Sequence, residues 1–387
     1  MNEFFHRLQV SDRVLLVGDT RQHEAVEAGR PYKQLQQAGM GIAKLCEIVR
    51  QKDPALKEAV EKLALGDVHG AIASLDQQGR VHEIVDSQER FGAIAREYSR
   101  NPEGTLVISP DNESRRELNS LIHREMQKRG DVSKDEHKFR VLESRQELTG
   151  ADRQWAGQYE AGDVLRYSRG SKTVALAPGD YARVTCVDPK QNRITIEREN
   201  GSLQSYDPRR LSGVSVHRRR QREFSKGDRV QFTAPSRALH VANRDLGTVE
   251  QVNSAGDFRI RMDSGHMIRF NILEHPHLDH GYAVTSHSSQ GQTAQRVLIH
   301  VDTEKSKLLV NNRFAYVSVS RAQHEAHIYT NNGSKLSSSL SRELAQRAAT
   351  EVEPQPTVPK AEPVSARGER PSEEEQGQSL GIGAICP

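Results

Sequence analysis

The sequence predicts an α/β fold interrupted by an inserted β region. Three observations carry this. Short apolar runs alternate with amphipathic segments between residues 13 and 129, the strand–helix order of an α/β sheet. Near residue 140 the texture changes to short alternating strands with Gly, Asn and Asp turns, which continue to about 275. The α/β texture then returns with YAVTSHSSQG (282–291), RVLIHV (296–301) and RFAYVSVSRA (313–322).

RVLLVGD (13–19) has four apolar residues before Gly-Asp, which predicts a buried parallel strand ending in a loop. Residues 33–78 read as helical; the segment after Pro54 has its proline in the first turn and Gly66 as a stop. VHEIV (81–85) is a short strand, FGAIAREYSR a helix, and TLVISP (105–110) a buried strand. ESRRELNSLIHREMQKRG follows as a helix, with Leu118, Leu121, Ile122 and Met126 on one face. The β region contains a weak internal repeat, one copy opening at Gly162-Asp163 and the other at Gly227-Asp228. Each copy resembles a small SH3-like barrel. No aromatic residue follows Tyr329, and 351–387 is expected to be a disordered tail.

Composition narrows the function classes. A chain of 387 residues suggests two or three domains. No run of 18 apolar residues exists, so no membrane partner is expected, and MNEFFHRLQV lacks a signal core. Cys46, Cys186 and Cys386 are too dispersed for a disulfide framework and fit a reducing, cytoplasmic setting. The net charge of +3 says little about partners, so charge distribution matters more.

Four segments carry chemistry: GDTRQ (18–22), LVISPDNESRREL (106–118), YAVTSHSSQGQT (282–293) and YVSVSRAQ (316–323), each read at a strand end. In this order they resemble motifs III to VI of superfamily 1 helicases of the RecD-like branch. The likeness is closest to the helicase part of TraI/TrwC-type conjugative relaxases, and the twin insert between motifs IV and V adds to it. The resemblance implies a RecA-like, P-loop NTPase-type fold. It assigns 1–75 to a remnant of the first RecA-like domain, 76–145 and 280–350 to the second, and 146–279 to the insert.

The resemblance implies roles for particular residues. Arg321 is the candidate arginine finger, an assignment its chemistry supports, because a guanidinium can reach across a cleft to a γ-phosphate. Arg115, with Arg116 as its neighbour, and Gln22 are the further candidate catalytic residues. Gly18, Asp19, Gln290 and Gly291 join them around ATP. Thr285, Ser286, His287 and Ser288 suit the phosphates of single-stranded DNA. Arg218, Arg219, Arg220 and Arg222, read as a basic linker between barrels, suit the same partner. Thr293 stands where many relatives carry Glu, which removes the implied ribose contact.

Absences shape the expectation. No G-x-x-x-x-G-K-[ST] cradle occurs, and Asp135-Glu136 lies after motif III instead of before it. The family uses ATP with Mg²⁺, but the Mg²⁺ ligands are not evident here. HPHLDH (275–280) sits in a presumed linker without a partner cluster, so no metal site is assigned. The chain therefore reads as a C-terminal helicase piece needing a separate N-terminal polypeptide. A non-enzymatic DNA-binding module and a gene remnant are the alternatives.

Overall fold

The computed structural model describes residues 6–9, 11–19, 22, 31–43, 47–145, 148–171, 174 and 176–343. Cys46, Cys386 and the tail at 351–387 lie outside these residues.

Five parallel strands form the central sheet: β1 (Val81–Glu83), β2 (Thr105–Ser109), β14 (Ala283–Thr285), β15 (Ala294–Val301) and β16 (Ala322–Thr330), in the order β1-β16-β15-β2-β14. Both faces are covered, as an all-parallel sheet requires. Helices α4 (Ser87–Arg100) and α5 (Asn112–Arg129) bury Phe91, Ile94, Leu118 and Ile122 on one face. Helices α2 (Pro54–Leu65), α3 (Val68–Gln77), α6 (Asn312–Val319) and α7 (Gly333–Leu340) cover the other. A short helix α1 (Pro31–Gln37) precedes them. Aspartates set the helix starts: Asp53 accepts from Leu56 N at 2.8 Å and Asp111 from Ser114 N at 2.7 Å. Gly66, at φ 89°, closes α2 in the left-handed region.

Helices α2 and α3 correct the expected partition. Leu56, Leu63, Ile72 and Leu75 share one core with Leu106, Val297 and Ile328. These helices are thus a layer of the 81–330 sheet, not part of a separate first domain. The strand expected at 13–19 also fails. Residues 12–19 form no regular secondary structure and pair with no strand among the described residues, and Leu15 and Val17 are 87% and 88% exposed. An apolar run becomes a parallel strand only when neighbouring strands exist to pair with it, and among the described residues it has none. RFAYVSV forms α6, not a strand. Asn311 caps Phe314 N at 3.0 Å, and Phe314, Ala315 and Val319 form a stripe into the core.

The β region makes two antiparallel sheets. Strands β3 (His137–Ser144), β4 (Val164–Tyr167), β5 (Tyr181–Asp188), β6 (Arg193–Arg198), β7 (Leu203–Tyr206) and β8 (Val214–Phe224) form one, ordered β3-β8-β4-β5-β6-β7. Strands β9 (Arg229–Phe232), β10 (Leu246–Val252), β11 (Asp257–Met262), β12 (Met267–Asn271) and β13 (Leu278–His280) form the other, ordered β12-β11-β10-β9-β13.

The internal repeat holds atom by atom at one constant sequence offset. Gly162 and Gly227 donate to Val184 O and Val249 O, both at 2.8 Å. Val184 and Val249 return bonds to Asp163 O and Asp228 O, again at 2.8 Å. The bridges Ser171–Leu176 and Ser236–Val241 correspond, and so do the irregularities after Val184 and Val249.

The basic run is not a linker. Arg218 to Arg222 lie in β8, paired antiparallel along β3. This ribbon joins the two β cores: Val214 and Val216 pack in the first, Phe139 and Phe224 in the second. HPHLDH is not a linker either, since Leu278, Asp279 and His280 form β13.

Candidate functional site

The structure brings motif III to motif VI. Gly18 packs against the Tyr32 ring, so a Cβ there would lie 3.3 Å from it. Asp19 accepts from Gln22 Nε2 at 3.1 Å and from the Tyr316 hydroxyl at 3.4 Å. Tyr316 projects from α6, one turn before Arg321. Arg321 is buried between α6 and β16; its Nε donates to Val317 O at 3.0 Å and its Nη1 to Gln292 O at 3.3 Å. The guanidinium therefore holds the motif VI turn to the end of motif V.

Arg50 completes the cluster, and no motif announced it. It donates to Ser320 O at 2.8 Å, while Gln51 reaches Ala322 O at 2.7 Å. Burial lowers the Arg321 pKa to about 10, and Arg50's charge adds to this. Tyr316 and Asp19 oppose the shift, and Asp19 is the one carboxylate acting on Arg321 among the described residues. Two guanidiniums facing one carboxylate leave an excess of positive charge. That donor set fits the phosphates of ATP. It does not fit a divalent cation, which requires several oxygen ligands.

Motif V is a closed turn after β14. Ser288 N and Ser288 Oγ contact Thr285 Oγ1 at 3.3 and 3.1 Å, and Ser289 Oγ donates to Ser286 O at 2.8 Å. Thr285, Ser286 and Ser288 are buried, and Gly291 ends the turn at φ 87° beside the half-buried Gln290. Burial lowers the His287 pKa, with Arg244's charge adding to it. The hydroxyls expected to meet DNA are thus largely spent on one another. Thr285 lies at the carboxyl end of its strand beside Ser109, the edge where open parallel sheets take ligands.

Arg115 lies elsewhere. Its Nη1 pairs with Asp279 at 3.0 Å and its Nη2 with Glu143 at 3.2 Å, both carboxylates belonging to the β region. These pairs tie α5 to the insert, apart from the motif III and VI residues. Asp279 also pairs with Arg222 Nε at 2.7 Å. Arg220 faces Glu143 at 3.5 Å, and Arg218 pairs with Glu160. Of the four basic candidates, Arg219 alone has no carboxylate partner among the described residues.

A second junction was not legible in the sequence. His123 of α5 hydrogen-bonds Asp228 at 2.6 Å and Glu136 at 3.2 Å, and Tyr282 donates to Asp228 at 2.6 Å. His280 Nε2 lies 3.7 Å from the same carboxylate. Burial alone would lower the His123 pKa, but the two carboxylates outweigh it and raise it. His123, Asp228 and His280 are the group whose ligand atoms could surround a metal, within 4.8 Å of one another. The His123–Asp228 contact is already closed as a hydrogen bond. Around one ion with bonds of about 2.0 Å the two atoms would stand further apart.

Comparison with known proteins agrees with the sequence resemblance. A family model described as the viral superfamily 1 RNA helicase core domain matches residues 188–330, and one described as an AAA domain matches 1–86. The multifunctional conjugation protein TraI of Escherichia coli is 27% identical over 89% of this chain. The conjugal transfer protein TraA of Agrobacterium fabrum is 23% identical over 82%. The chain spans 22% of the length of each. A crystal structure of Bacteroides Pif1 bound to single-stranded DNA aligns with 77% of this chain and 53% of its own, at 14% identity and a TM-score of 0.40. By its sequence the chain is similar to the TraI and TraA conjugation proteins, and its residues 188–330 match the model of a superfamily 1 helicase core.

Proposed function

We propose that the chain is the phosphate-sensing and strand-holding part of an ATP-dependent DNA helicase that acts in plasmid DNA transfer. The observation that carries this reading is the meeting of Asp19, Gln22, Arg50, Tyr316 and Arg321, drawn from segments far apart in sequence. Arg321 and Arg50 would stabilise charge on the γ-phosphate, and Gln22 would sense its presence. Bound ATP supplies the phosphoryl group. Its cradle and the Mg²⁺ ligands would come from a separate N-terminal polypeptide, which makes this chain a C-terminal helicase fragment. In this reading the twin β units are SH3-like modules flanking the strand, and 5′ to 3′ unwinding belongs to the completed protein.

The purified chain is expected to show no steady ATP turnover with poly-dT and Mg²⁺, since no P-loop lysine offsets the transition-state charge. Sustained DNA-stimulated phosphate release that Arg321→Ala abolishes would sink this reading.

Single-stranded DNA is expected to bind weakly and with steep salt dependence, the slope being about −0.7 per neutralised phosphate. Arg219→Ala should weaken binding more than Arg222→Ala, because Arg222 is already neutralised by Asp279. Fluorescence titration of labelled poly-dT at several salt concentrations measures both. Equal effects would mean the β8 ion pairs open on binding.

A further inference from the structure

The two β units differ at one backbone position in a way that points to function. In the first unit Tyr167 N donates to Asp180 O at 3.0 Å, and Gly179 N to Tyr167 O at 2.6 Å. In the second, Phe232 N donates to Asp245 O at 2.9 Å, and Arg244 N to Phe232 O at 2.7 Å. Asp180 and Asp245 cap the two turns alike, accepting from Ala177 N and Ala242 N at 2.7 Å each. The turns are therefore equivalent. Gly179 sits at φ 98°, and Arg244 occupies the matching place at φ 79°. Glycine adopts this left-handed conformation freely, whereas a residue with a Cβ is strained in it. Strain of this kind persists where the side chain has a task.

The task is visible in the side chain's direction. Arg244 Nη1 donates to His287 O at 2.8 Å, reaching from the second β unit to the motif V turn. His287 adjoins Ser288, whose hydroxyl meets Thr285 at 3.1 Å. No carboxylate pairs with Arg244 among the described residues. Burial lowers its pKa, and no acid offsets that shift. A half-buried guanidinium without a carboxylate partner among the described residues, held against the motif V turn by one of its nitrogens, is a seat for an anion.

We propose that Arg244 is a phosphodiester-binding residue that the second β unit contributes to the motif V turn. This rests on the reading that the chain holds single-stranded DNA. The backbone strain is the cost of placing a guanidinium where the sister unit keeps a glycine. One edge of the guanidinium anchors the turn through His287 O, and the rest faces the strand.

The test is Arg244→Gly, which restores the sister unit's residue. Thermal melts, poly-dT titrations over a salt series and titrations with a labelled ATP analogue are measured on wild type and variant. The expected result is an equal or higher melting temperature, with poly-dT affinity lower by about tenfold and the salt slope shallower by about 0.7. Any affinity for the ATP analogue should stay unchanged, which separates a strand phosphate from a nucleotide phosphate. Arg244→Lys keeps the charge and should retain part of the affinity. If wild type binds poly-dT and Arg244→Gly binds it equally well, the proposal falls while the DNA reading stands. A lower melting temperature in Arg244→Gly would make the residue a structural tether and overturn the proposal. Loss confined to the ATP analogue would also overturn it. If wild type itself fails to bind poly-dT at low salt, the DNA reading falls first and takes this proposal with it.

Discussion

Replacing Asp279 with Ala is expected to destabilise the protein by about 3–5 kcal/mol, the usual cost of stranding a buried charge. Asp279 is the hub of the junction between α5 and the β region. Its two oxygens meet Arg115 Nη1 at 3.0 Å and Arg222 Nε at 2.7 Å, and one also accepts from His280 N at 2.9 Å. Burial alone would raise its pKa, but the two guanidiniums outweigh that and hold it below the ordinary carboxylate range. Removing the carboxylate leaves Glu143 as the one carboxylate paired with Arg115 among the described residues, and leaves Arg222 only a longer ion pair with it, at 3.7 Å. The control is Glu304→Gln. Glu304 and its partner Lys335 are 64% and 59% exposed, so that pair contributes at most about 1 kcal/mol. Urea denaturation measures both variants. A loss in Asp279→Ala no larger than in the control would show that the junction is not held by these charges.

Acid is expected to loosen the protein well above the carboxylate range, through three neutral histidines. His217, His275 and His277 cluster with ring centroids 5.1 and 5.5 Å apart, beside Phe232, Phe270 and Tyr181. Burial, followed by the charge of Arg166, lowers His217 and His275 to about 4. Burial and its two histidine neighbours lower His277 to about 3. The unfolded chain binds these protons near pH 6.5, whereas the folded chain resists them. Stability is therefore fully present above pH 6.5 and falls as pH drops toward 4. Each histidine contributes a slope of up to about 1.4 kcal/mol per pH unit. His123 works in the opposite sense. Its raised pKa gives stability that is present below 6.5 and lost as pH rises through the folded value. Urea midpoints from pH 7.5 to 4 should decline steeply below 6.5, and His275→Phe should remove about one proton's worth of slope. A His275→Phe profile parallel to wild type would show that His275 protonates freely in the fold.

Much of the fold could be read locally. TLVISP and RVLIHV became strands because continuous apolar runs suit a sheet covered on both faces. The helix at 112–129 followed from its apolar stripe, with Asp111 and Gly130 at its ends. The GD repeat was legible because each aspartate makes the same local cap: Asp163 accepts from Glu160 N at 2.9 Å and Asp228 from Ser225 N at 2.7 Å. RFAYVSV misled because its β-branched alternation imitates a strand, and only the cap by Asn311 and the packing of Phe314 decide for helix. The candidate site was legible as motifs. Arg50 was not, because it has no motif and its role comes entirely from lying against residues 320–322.

The sequence by itself determined the strands and helices between residues 54 and 129, the order of the four motifs, and the duplication in the β region. Each of these depends on local periodicity, caps and turn residues. Tertiary structure alone decided three other things. It spent Arg115 and Arg222 on Asp279, assigned α2 and α3 to the sheet that follows them, and left RVLLVGD without strand partners among the described residues. The physical reason is common to all three. A charge is neutralised, and an apolar face is buried, by whatever the chain topology brings alongside, and those partners lie far away in sequence.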